Sequence, residues 1–449
     1  MSIEQIKAKG DRAIAIGPFG SRMKADLYVP DGVPVIRGNN LSDTRSLIGD
    51  LVQVSETTAD ELAGCNVFAG DLVFPHRGSI GQVGIVPEDS NRRYMLSTSL
   101  MKLSCNENLV DPLFVFYFFR SDAGRHALLQ NASTVGTPGI GQPLASLRSI
   151  VLPVPPLDQQ RAIAHILGTL DEKIELNRRM NETLEATARA LFTSWFVNFD
   201  PVRAKAEGRD PGLPSHLADL FPDSFEDSEL GEIPTGWRAS TLGHEVARCG
   251  GRIQTGPFGS QLHASDYVQE GVPVVMPKDL AHRRVSSNSI ALIREEDANR
   301  LARHRMQEGD IVYSRRGDVE RHGLIRSREV GWLCGTGCLL VRLGTDWPSP
   351  LFASFALDLP DTRAWIVQHA IGATMPNLNT GILERVPVIV PPDASLHAFN
   401  VLAQPLADRV IAGDLESDAL AATRDTLLPK LISGELRLTD LSRFADAAL

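Results

Sequence analysis

The residues best suited to contact phosphate or base edges lie in and just after two glycine-rich loops. Gly17-Pro18-Phe19-Gly20-Ser21 is followed by Arg22 and Lys24, and Gly256-Pro257-Phe258-Gly259-Ser260 is followed by Gln261. Because glycine has no side chain, such a loop can bring its backbone amides close to a phosphate. The alternative is a tight turn whose phenylalanine packs inward, and the two interpretations are compatible.

Two further polar clusters follow predicted strands. Arg37-Gly38-Asn39-Asn40 corresponds to Met276-Pro277-Lys278-Asp279 in the second half, and Arg77 and Arg316 hold equivalent places beside a glycine. Arginine reads guanine edges and asparagine reads adenine edges, while an arginine common to both halves suits phosphate. For each arginine the alternative is a solvated surface charge or an internal ion pair.

The candidate nucleic-acid contacts are therefore polar or cationic side chains in or near these loops. They are Ser21, Arg22, Lys24, Arg37, Asn39, Asn40, Arg77, Ser260, Gln261, Lys278, Arg283, Arg284, Arg315 and Arg316. We predict no catalytic residue, because the chain lacks a Gly-x-x-x-x-Gly-Lys-Ser/Thr loop, a His-Glu-x-x-His pair, a Gly-x-Ser-x-Gly elbow and an Asn-Pro-Pro-Tyr/Phe motif. We predict no metal site either: Cys334 and Cys338 have no second ligand pair at suitable spacing, so a strand position is favoured.

A duplicated domain positions these loops. The glycine-rich loops, the Gly-Val-Pro-Val segments, the Gly-Asp pairs and the Arg-Gly pairs recur at a constant shift of 239 residues, which indicates duplication. The Gly-Asp residues, Asp71 and Asp310, are expected to serve turns. Short strands are predicted at Val33–Ile36, Leu72–Phe74, Ser99–Leu103, Val272–Val275, Ile311–Tyr313 and Cys338–Leu343.

Each repeat ends in Pro-Pro and is followed by a helical pattern. From Leu157 to about Phe196 there is no proline, and apolar residues recur at heptad spacing. A weaker seam follows Pro392, where Pro405 is expected to kink or delay the helix and Gly413 weakens its regularity. The shared phase favours pairing of the two helices over separate packing of each on its own domain. The residues predicted to pair are Ile163, Leu167, Leu170, Ile174, Leu184, Leu191, Leu406, Val410, Leu420 and Leu427.

The predicted fold class is α+β: two mixed α/β domains, each followed by a long helix, with the helices paired as an antiparallel coiled coil of pseudo-two-fold symmetry. The predicted segments are a first domain (1–154), a central spacer helix (155–197), a linker or crossover (198–238), a second domain (239–391), a C-terminal spacer helix (392–436) and a tail (437–449). The linker is expected to be ordered but not part of a core. The first domain has no counterpart of Ile233–Trp237, so it is expected to lack an edge strand.

The net charge of −10 argues against nucleic acid, but its distribution weakens that objection. Acidic residues are concentrated in the connecting segments, whereas the repeats are nearly balanced. Lys278 is the only lysine between residues 240 and 391, so the cations of the second repeat are otherwise arginines, which suit bidentate contact with phosphate or guanine. With few cysteines, no visible secretory signal and no apolar run of membrane-spanning length, a cytoplasmic location is expected.

Four segments resemble the specificity subunits of type I restriction–modification systems. They are Pro155–Ile163 at the start of the first helix, Ser228–Trp237 before the second repeat, Gly372–Pro376 near its end, and Leu427–Leu436 at the end of the second helix. The likeness covers nearly the whole chain, in the expected order.

The resemblance implies a non-catalytic reader of double-stranded DNA. Each repeat would be a target-recognition domain for one half of a bipartite site, and the helix pair would act as a spacer. The chain itself would hold no cofactor. Two methyltransferase subunits carrying S-adenosylmethionine would dock on it, joined in some systems by two restriction subunits that use ATP and Mg. The alternatives are a protein scaffold without base readout and a self-sufficient nuclease or methyltransferase, which the missing motifs disfavour.

Overall fold

The computed structural model describes residues 1–19, 22–42, 44–87, 93–133, 138–259, 261–281, 283–372 and 374–436. It divides into two compact units. Unit 1 holds residues 1–179 together with 414–449, and unit 2 holds residues 180–413. Each unit therefore contains one copy of the repeat and a part of each long helix.

Unit 1 consists mainly of short strands with helices between them. Its strands are β1 (Ile14–Ile16), β2 (Tyr28–Val29), β3 (Val33–Ile36), β4 (Gln53–Val54), β5 (Asn66–Val67), β6 (Leu72–Pro75), β7 (Gly84–Ile85), β8 (Tyr94–Leu96), β9 (Leu100–Leu103), β10 (Ala132–Ser133) and β11 (Gly139–Ile140). Its helices are α1 (Ile3–Ile6), α2 (Glu56–Glu61), α3 (Pro112–Arg120), α4 (Asp122–Leu129), α5 (Pro143–Ser149) and the first part of α6 (Leu157–Phe196).

Unit 2 continues from the second part of α6. Its further helices are α7 (Asp200–Ala206), α8 (Ser215–Ala218), α9 (Leu242–Arg248), α10 (Glu295–Arg300), α11 (Pro350–Leu357), α12 (Pro360–His369), α13 (Thr380–Glu384) and the first part of α14 (Asp393–Ser433). Its strands are β12 (Phe225–Ser228), β13 (Gly231–Pro234), β14 (Arg238–Thr241), β15 (Arg252–Thr255), β16 (Tyr267–Val268), β17 (Val272–Val275), β18 (Leu280–Ala281), β19 (Arg284–Val285), β20 (Ala291–Ile293), β21 (Ile311–Ser314), β22 (His322–Leu324), β23 (Leu333–Cys334), β24 (Cys338–Arg342) and β25 (Pro387–Val390).

Both units are built on the same sheet plan. Unit 1 has one sheet of order β1-β9-β6-β7 and another of order β2-β4-β3-β8-β5, and the corresponding orders in unit 2 are β15-β24-β21-β22 and β16-β20-β17-β23. A parallel pair occurs at the same place in each unit, β3 with β8 and β17 with β23. The prediction of two duplicated mixed α/β domains, each followed by a long helix, is confirmed. All six strands predicted from the repeat are present.

The core of unit 1 forms where an aromatic helix covers a sheet. Helix α3 buries six consecutive apolar residues, from Phe114 to Phe119, five of them aromatic, in a cluster that includes residues of β6 and β9. The helix starts where it does because the Asp111 carboxylate accepts the Phe114 amide at 2.9 Å and Pro112 occupies the first turn. Its counterpart α11 starts in the same way, with the Ser349 hydroxyl accepting the Phe352 amide at 3.1 Å.

The core of unit 2 includes the segment that was expected to be a linker. Phe199, Val202, Phe221, Ile233 and Trp237 are all buried in one cluster with the end of α6 and with α11. The expectation that residues 198–238 lie outside a core is therefore wrong. The segment is rich in proline, glycine and acidic residues, but its few aromatic side chains form edge-to-face contacts, such as Trp195 with Phe221 and Phe199 with Trp237. Trp347 is buried in the same cluster.

The repeated aspartates close turns, as expected from the sequence. Asp71 accepts the Phe68 amide at 3.0 Å, and Asp310 accepts the Gln307 amide at 2.8 Å. A cation balances each carboxylate: the buried Lys102 lies 3.7 Å from Asp71, and the half-buried Arg342 donates two hydrogen bonds to Asp310. Because both aspartates are buried, this pairing offsets the cost of desolvating them.

Helix α14 begins at Asp393 and continues through Pro405, so the expected delay is not observed. Pro405 lies on the exposed side of the helix, where the carbonyl that loses its amide partner faces solvent. Gly413 is buried and has a steric role. A Cβ atom at position 413 would lie 2.6 Å from the Asn181 side-chain oxygen, so glycine permits the close approach of α6.

The edge strand present in unit 2 is reduced in the first domain, which was expected to lack it. In unit 2, β14 pairs with β25 over four residues, from Arg238 opposite Val390 to Thr241 opposite Pro387. The corresponding place in unit 1 holds a single bridge between Ser2 and Val151. The edge is therefore reduced to one bridge rather than lost completely.

Candidate nucleic-acid interface

The glycine-rich loops are anchored in the same way in both units. Gly17 follows β1 and donates its amide to the Leu100 carbonyl at 2.8 Å, and Gly256 follows β15 and donates to the Cys338 carbonyl at 2.9 Å. A Cβ atom at Gly17 would lie 1.9 Å from the Ser97 carbonyl oxygen, and one at Gly256 would lie 2.1 Å from the Gly335 carbonyl oxygen. Glycine is thus required at both positions because another backbone strand passes so close.

The phenylalanines of these loops point into solvent. Phe19 is 73% exposed and Phe258 is 53% exposed, so the interpretation with inward-packed rings is wrong. Each turn is closed by a backbone hydrogen bond to the phenylalanine carbonyl, from the Arg22 amide at 3.0 Å and from the Gln261 amide at 2.8 Å. The glycine and the backbone make the contacts that hold the loop in place, so the phenylalanine ring is not packed into the protein interior.

The equivalent arginines Arg77 and Arg316 are both exposed and held by the same backbone contact. Arg77 forms a bridge with Gly139, and Arg316 forms one with Asn377. In unit 1, Arg77 lines one cleft together with Phe19, His76 and the segment 140–145. The cleft therefore combines an exposed aromatic ring with an exposed cation.

His76 forms the buried side of this cleft. Its ring Nε2 lies 3.2 Å from the Thr98 carbonyl, to which it donates. Burial lowers the pKa of His76, and the neighbouring Arg77 lowers it further, while the hydrogen bond to Thr98 opposes them. The ring is therefore a neutral structural support for the Arg77 loop rather than a second cation.

The second polar cluster divides into structural and accessible residues. Asn40 is 1% exposed, and its side chain accepts the Arg37 amide at 3.0 Å and donates to the Ile48 carbonyl at 2.8 Å. It closes a turn, so base contact by Asn40 does not fit its placement. Asn39 and Lys278 are exposed at the tips of the corresponding turns, although Lys278 donates to the Ser289 carbonyl at 3.2 Å.

Arg37 and Arg315 are half-buried. Arg37 donates from Nη2 to the Asp50 carbonyl at 3.1 Å, which holds the loop. The Nε atom of Arg315 is buried without a hydrogen-bond partner among the described residues. Arg22 and Lys24 are exposed, whereas the side chain of Gln261 accepts the Phe258 amide at 3.2 Å. Ser21 and Ser260 lie outside the described residues.

Arg283 is buried inside unit 2, and Arg284 is partly exposed but engaged by a carboxylate of the protein. Arg283 is 5% exposed, lies 3.7 Å above the Phe355 ring and is 3.6 Å from Asp358. Burial lowers the pKa of Arg283 to about 10. Arg284 donates from Nε at 2.9 Å and from Nη2 at 2.5 Å to Glu185 of α6. The sequence-based assignment of both residues to DNA contact is therefore not supported by their positions, because each cation is already engaged by protein groups.

The predicted helix-pairing residues fall on facing sides within each unit. In unit 1, Ile163 and Leu167 of α6 share a buried cluster with α14, against which Leu427 is partly packed. In unit 2, Leu184 lies with Leu406 and Val410 around one small cavity, and Leu191 and Leu406 pack against the core cluster. Leu170, Ile174 and Leu420 are half-buried.

The two helices run in opposite directions within each unit. In unit 1, Asp171 contacts Arg424 while Asn177, further along α6, donates to Glu416 and Ser417. In unit 2, Asn181 donates to the Val410 carbonyl at 3.2 Å, and Phe196 packs on Phe399. The two asparagines of the predicted seam are therefore hydrogen-bonded across the helix pair.

Sequence reasoning missed two buried polar residues of α6. Gln160 accepts the Asp111 amide at 2.9 Å and donates to the Pro155 and Leu109 carbonyls, so it joins the start of α6 to the domain before it. Asp171 is 2% exposed and pairs with Arg424. A signal was present for each: Gln160 lies in the Pro-Pro-Leu-Asp-Gln-Gln-Arg segment, and Arg424 places a charge between Leu420 and Leu427 at heptad spacing.

Two further features bear on the class of the protein. Cys334 and Cys338 lie in neighbouring strands, and no three potential metal-ligating side chains come together among the residues described. None of the described helices combines the length and the apolar character that crossing a bilayer requires.

The chain is similar to proteins of one kind. Residues 20–186 match the model of the type I restriction modification DNA specificity domain. The chain is 26% identical over 412 residues to the type I restriction enzyme HindI specificity subunit of Haemophilus influenzae, covering 82% of this chain and 86% of that protein. It is 25% identical over 297 residues to the MjaIX specificity subunit of Methanocaldococcus jannaschii, covering 66% and 63%.

A solved structure shares the fold. The crystal structure of the type I restriction–modification system S subunit from M. genitalium aligns with 96% of this chain and 95% of that one, with a TM-score of 0.58 and 16% identity. The relatives are named as specificity subunits, which agrees with the prediction that the chain is not an enzyme. The family model, the relatives and the duplicated sheet plan agree, and the chain is similar over most of its length to the specificity subunits of type I restriction–modification systems.

Proposed function

We propose that this chain recognises a DNA target, and that it does so in two parts, with each repeat reading one half of a double-stranded site. The proposal rests on one observation. Both repeats share a sheet plan, and each exposes a phenylalanine and an arginine, Phe19 and Arg77 in the first and Phe258 and Arg316 in the second. The residues that follow the two phenylalanines differ between the repeats: Arg22 and Lys24 in the first correspond to Gln261 and His263 in the second. A shared fold with different side chains on its loops suits two domains that recognise different DNA sequences.

The long helices are proposed to bring enzyme subunits to that site. Val401, Leu402 and Leu415 of α14 and Leu176 of α6 expose large apolar side chains, which suits protein docking. We propose that two methyltransferase subunits, which would carry S-adenosylmethionine, assemble on the chain in the cytoplasm, and that restriction subunits using ATP and Mg join them where the system includes them. The chain itself would supply no cofactor.

Methylome sequencing of cells with and without this chain tests the proposal. A bipartite motif that is methylated only when the chain is present is the expected result. Replacing residues 1–153 by the same domain of a relative should change one half of the motif and leave the other half unaltered. If the motif survives that replacement unchanged, the chain is a scaffold without base readout.

Helix length gives a second test. Inserting one heptad in α6 after Arg179 and one in α14 after Gly413 adds about 10 Å of helix, or about three base pairs of duplex. The gap between the two half-motifs should increase accordingly. Seven residues inserted beside Gly212, in an exposed turn of the connecting segment, serve as the control and should leave the gap unchanged. An equal gap in both variants would contradict a spacer role for the helices.

A further inference from the structure

The proposed function does not say what the exposed phenylalanines contact on DNA. A phenylalanine exposed to solvent forgoes the favourable free energy of burying its ring. Both repeats nevertheless present Phe19 and Phe258 at 73% and 53% exposure. Since each ring projects from a loop whose glycine cannot be replaced without displacing a backbone carbonyl, its position is fixed by the fold.

Phe19 lies between exposed cations and an apolar cleft. Arg22 and Lys24 follow the turn and are exposed, and Arg77 shares the cleft that Phe19 lines together with Ile16, Ile140 and Leu144. Three cations beside an exposed ring suit a polyanion that also offers aromatic faces for stacking. Phe258 has Arg316 as the equivalent cation of its repeat, and the exposed Met375 lies two residues from Asn377, which bridges to Arg316.

We propose that Phe19 and Phe258 are wedges that enter the base stack of DNA, one in each half-site, while Arg77 and Arg316 hold the adjacent phosphate. This inference rests on the proposed DNA recognition and deepens it. An aromatic ring that partly unstacks a base step reads the deformability of that step, so it adds sequence preference without a hydrogen bond to a base edge. Pyrimidine–purine steps unstack most easily and are the expected insertion points.

The phenylalanines and the arginines should contribute differently to the salt dependence of DNA affinity. A phenylalanine neutralises no phosphate, so Phe19→Ala should lower affinity by roughly tenfold, within the range of a lost aromatic–base stack, and leave the slope of log K against log salt unchanged. Arg77→Ala should lower affinity and reduce the magnitude of that slope by about 1. Phe19→Leu should retain part of the affinity because it keeps an apolar side chain.

The site of insertion can be located with 2-aminopurine, whose fluorescence rises when it is unstacked. The full complex of this chain with its methyltransferase subunits is titrated with duplexes in which the probe replaces single purines of the methylated motif, excluding the methylated adenine. We expect one bright position per half-motif. Phe19→Ala should extinguish the position in one half only, and Phe258→Ala the position in the other.

The outcomes separate this inference from the proposed function. If the wild-type complex shows no salt-dependent, motif-specific binding, the proposed function fails. If it binds the motif but both alanine variants match it in affinity and in probe fluorescence, the wedge is wrong while DNA recognition stands. If the alanine variants fail to bind the methyltransferase subunits, the rings are protein contacts and the inference is overturned. Circular dichroism of each variant checks that the fold is kept.

Discussion

Asp171 of α6 and Arg424 of α14 form a 2.6 Å ion pair although both side chains are almost completely buried within unit 1. The Tyr117 hydroxyl donates to the other oxygen of Asp171 at 2.7 Å, and Arg120 lies 3.4 Å from it. Burial raises the pKa of Tyr117 far above its usual value, as does Asp171 itself, so the hydroxyl remains a donor. The carboxylate thus joins both helices and α3 at one point.

Removing one partner of this pair should destabilise unit 1 more than removing both. Asp171→Leu leaves the buried Arg424 guanidinium with Asp425, whose side chain is largely exposed, as its acidic partner, and we expect a loss of about 3 kcal/mol, at the lower end for a broken buried pair. The double variant Asp171→Leu with Arg424→Leu should recover part of that loss, because the Arg424 charge is removed while Arg120 still lacks its carboxylate. Hydrogen exchange of the α6 amides between residues 160 and 175 measures the effect. Equal losses in the single and double variants would show that packing, not charge, sets the cost.

The equivalent arginines Arg45 and Arg284 should fix the recognition loops on α6. Arg45 lies 3.2 Å from Glu172 in unit 1, and Arg284 donates two hydrogen bonds to Glu185 in unit 2. Because the arginines are partly exposed, each pair is expected to contribute about 1 kcal/mol or less. Glu185→Lys should accelerate proteolysis of the loop that contains Arg284, and adding Arg284→Glu should restore resistance. Ala186→Lys, at the next residue of α6 and exposed, is the control.

Alanine at the loop glycines should displace the phenylalanines. Gly17→Ala and Gly256→Ala each place a methyl group about 2 Å from a backbone carbonyl oxygen, so a strand or the loop must move. We expect a cost of about 1–3 kcal/mol, which is typical of overpacking. Gly259→Ala, where a Cβ atom meets nothing within 4 Å, is the matched control and should leave the melting temperature unchanged. Calorimetry that gave equal melting temperatures for Gly256→Ala and Gly259→Ala would rule out the steric argument.

His322 should make unit 2 less stable in mild acid. It is buried, stacks on Tyr313 with ring centroids 5.0 Å apart, and lies 3.1 Å from the Ser354 carbonyl. Burial lowers its pKa to about 4, with Arg283 acting in the same direction and Asp358 opposing. In the unfolded chain the pKa is about 6.5, so the unfolded state binds the proton first as the pH falls.

The contribution of His322 is therefore complete above pH 6.5 and is lost progressively toward pH 4, by about 2–3 kcal/mol in all. Urea unfolding at a series of pH values should show this slope. His322→Gln should be less stable at pH 7 but have a flatter profile between pH 6.5 and 4. His216→Gln, at an exposed position, should retain the wild-type slope. A parallel slope in His322→Gln would mean that another group titrates.

The sequence contains enough to predict the repeat, the strands and both long helices, because duplication leaves residue identities in register. Gly17 and Gly256 recur for a reason that is visible in the structure: both pack against a carbonyl oxygen. The heptad seam placed Asn177 and Asn181 at the helix interface, where both are buried. Local spacing was sufficient for these predictions because helix and strand periodicity are local properties.

The contacts that individual side chains make could not be predicted in the same way. Arg284 binds Glu185, 99 residues away in sequence, and Arg424 binds Asp171, 253 residues away. An arginine looks the same in sequence whether it will meet a phosphate or a carboxylate, so Arg283 and Arg284 were assigned to DNA. The exposure of Phe19 was unexpected for a similar reason: hydrophobicity predicts burial on average, and exceptions arise from the local backbone.

The tryptophans of the chain are distributed unevenly between the two units. All five indole side chains of the chain, Trp195, Trp237, Trp332, Trp347 and Trp365, belong to unit 2, and unit 1 has none. Emission excited at the red edge of the absorption band therefore reports one recognition domain selectively. A melt followed in this way would record the second repeat and stay silent about the first, so a single smooth trace from this protein is no evidence that both halves unfold together.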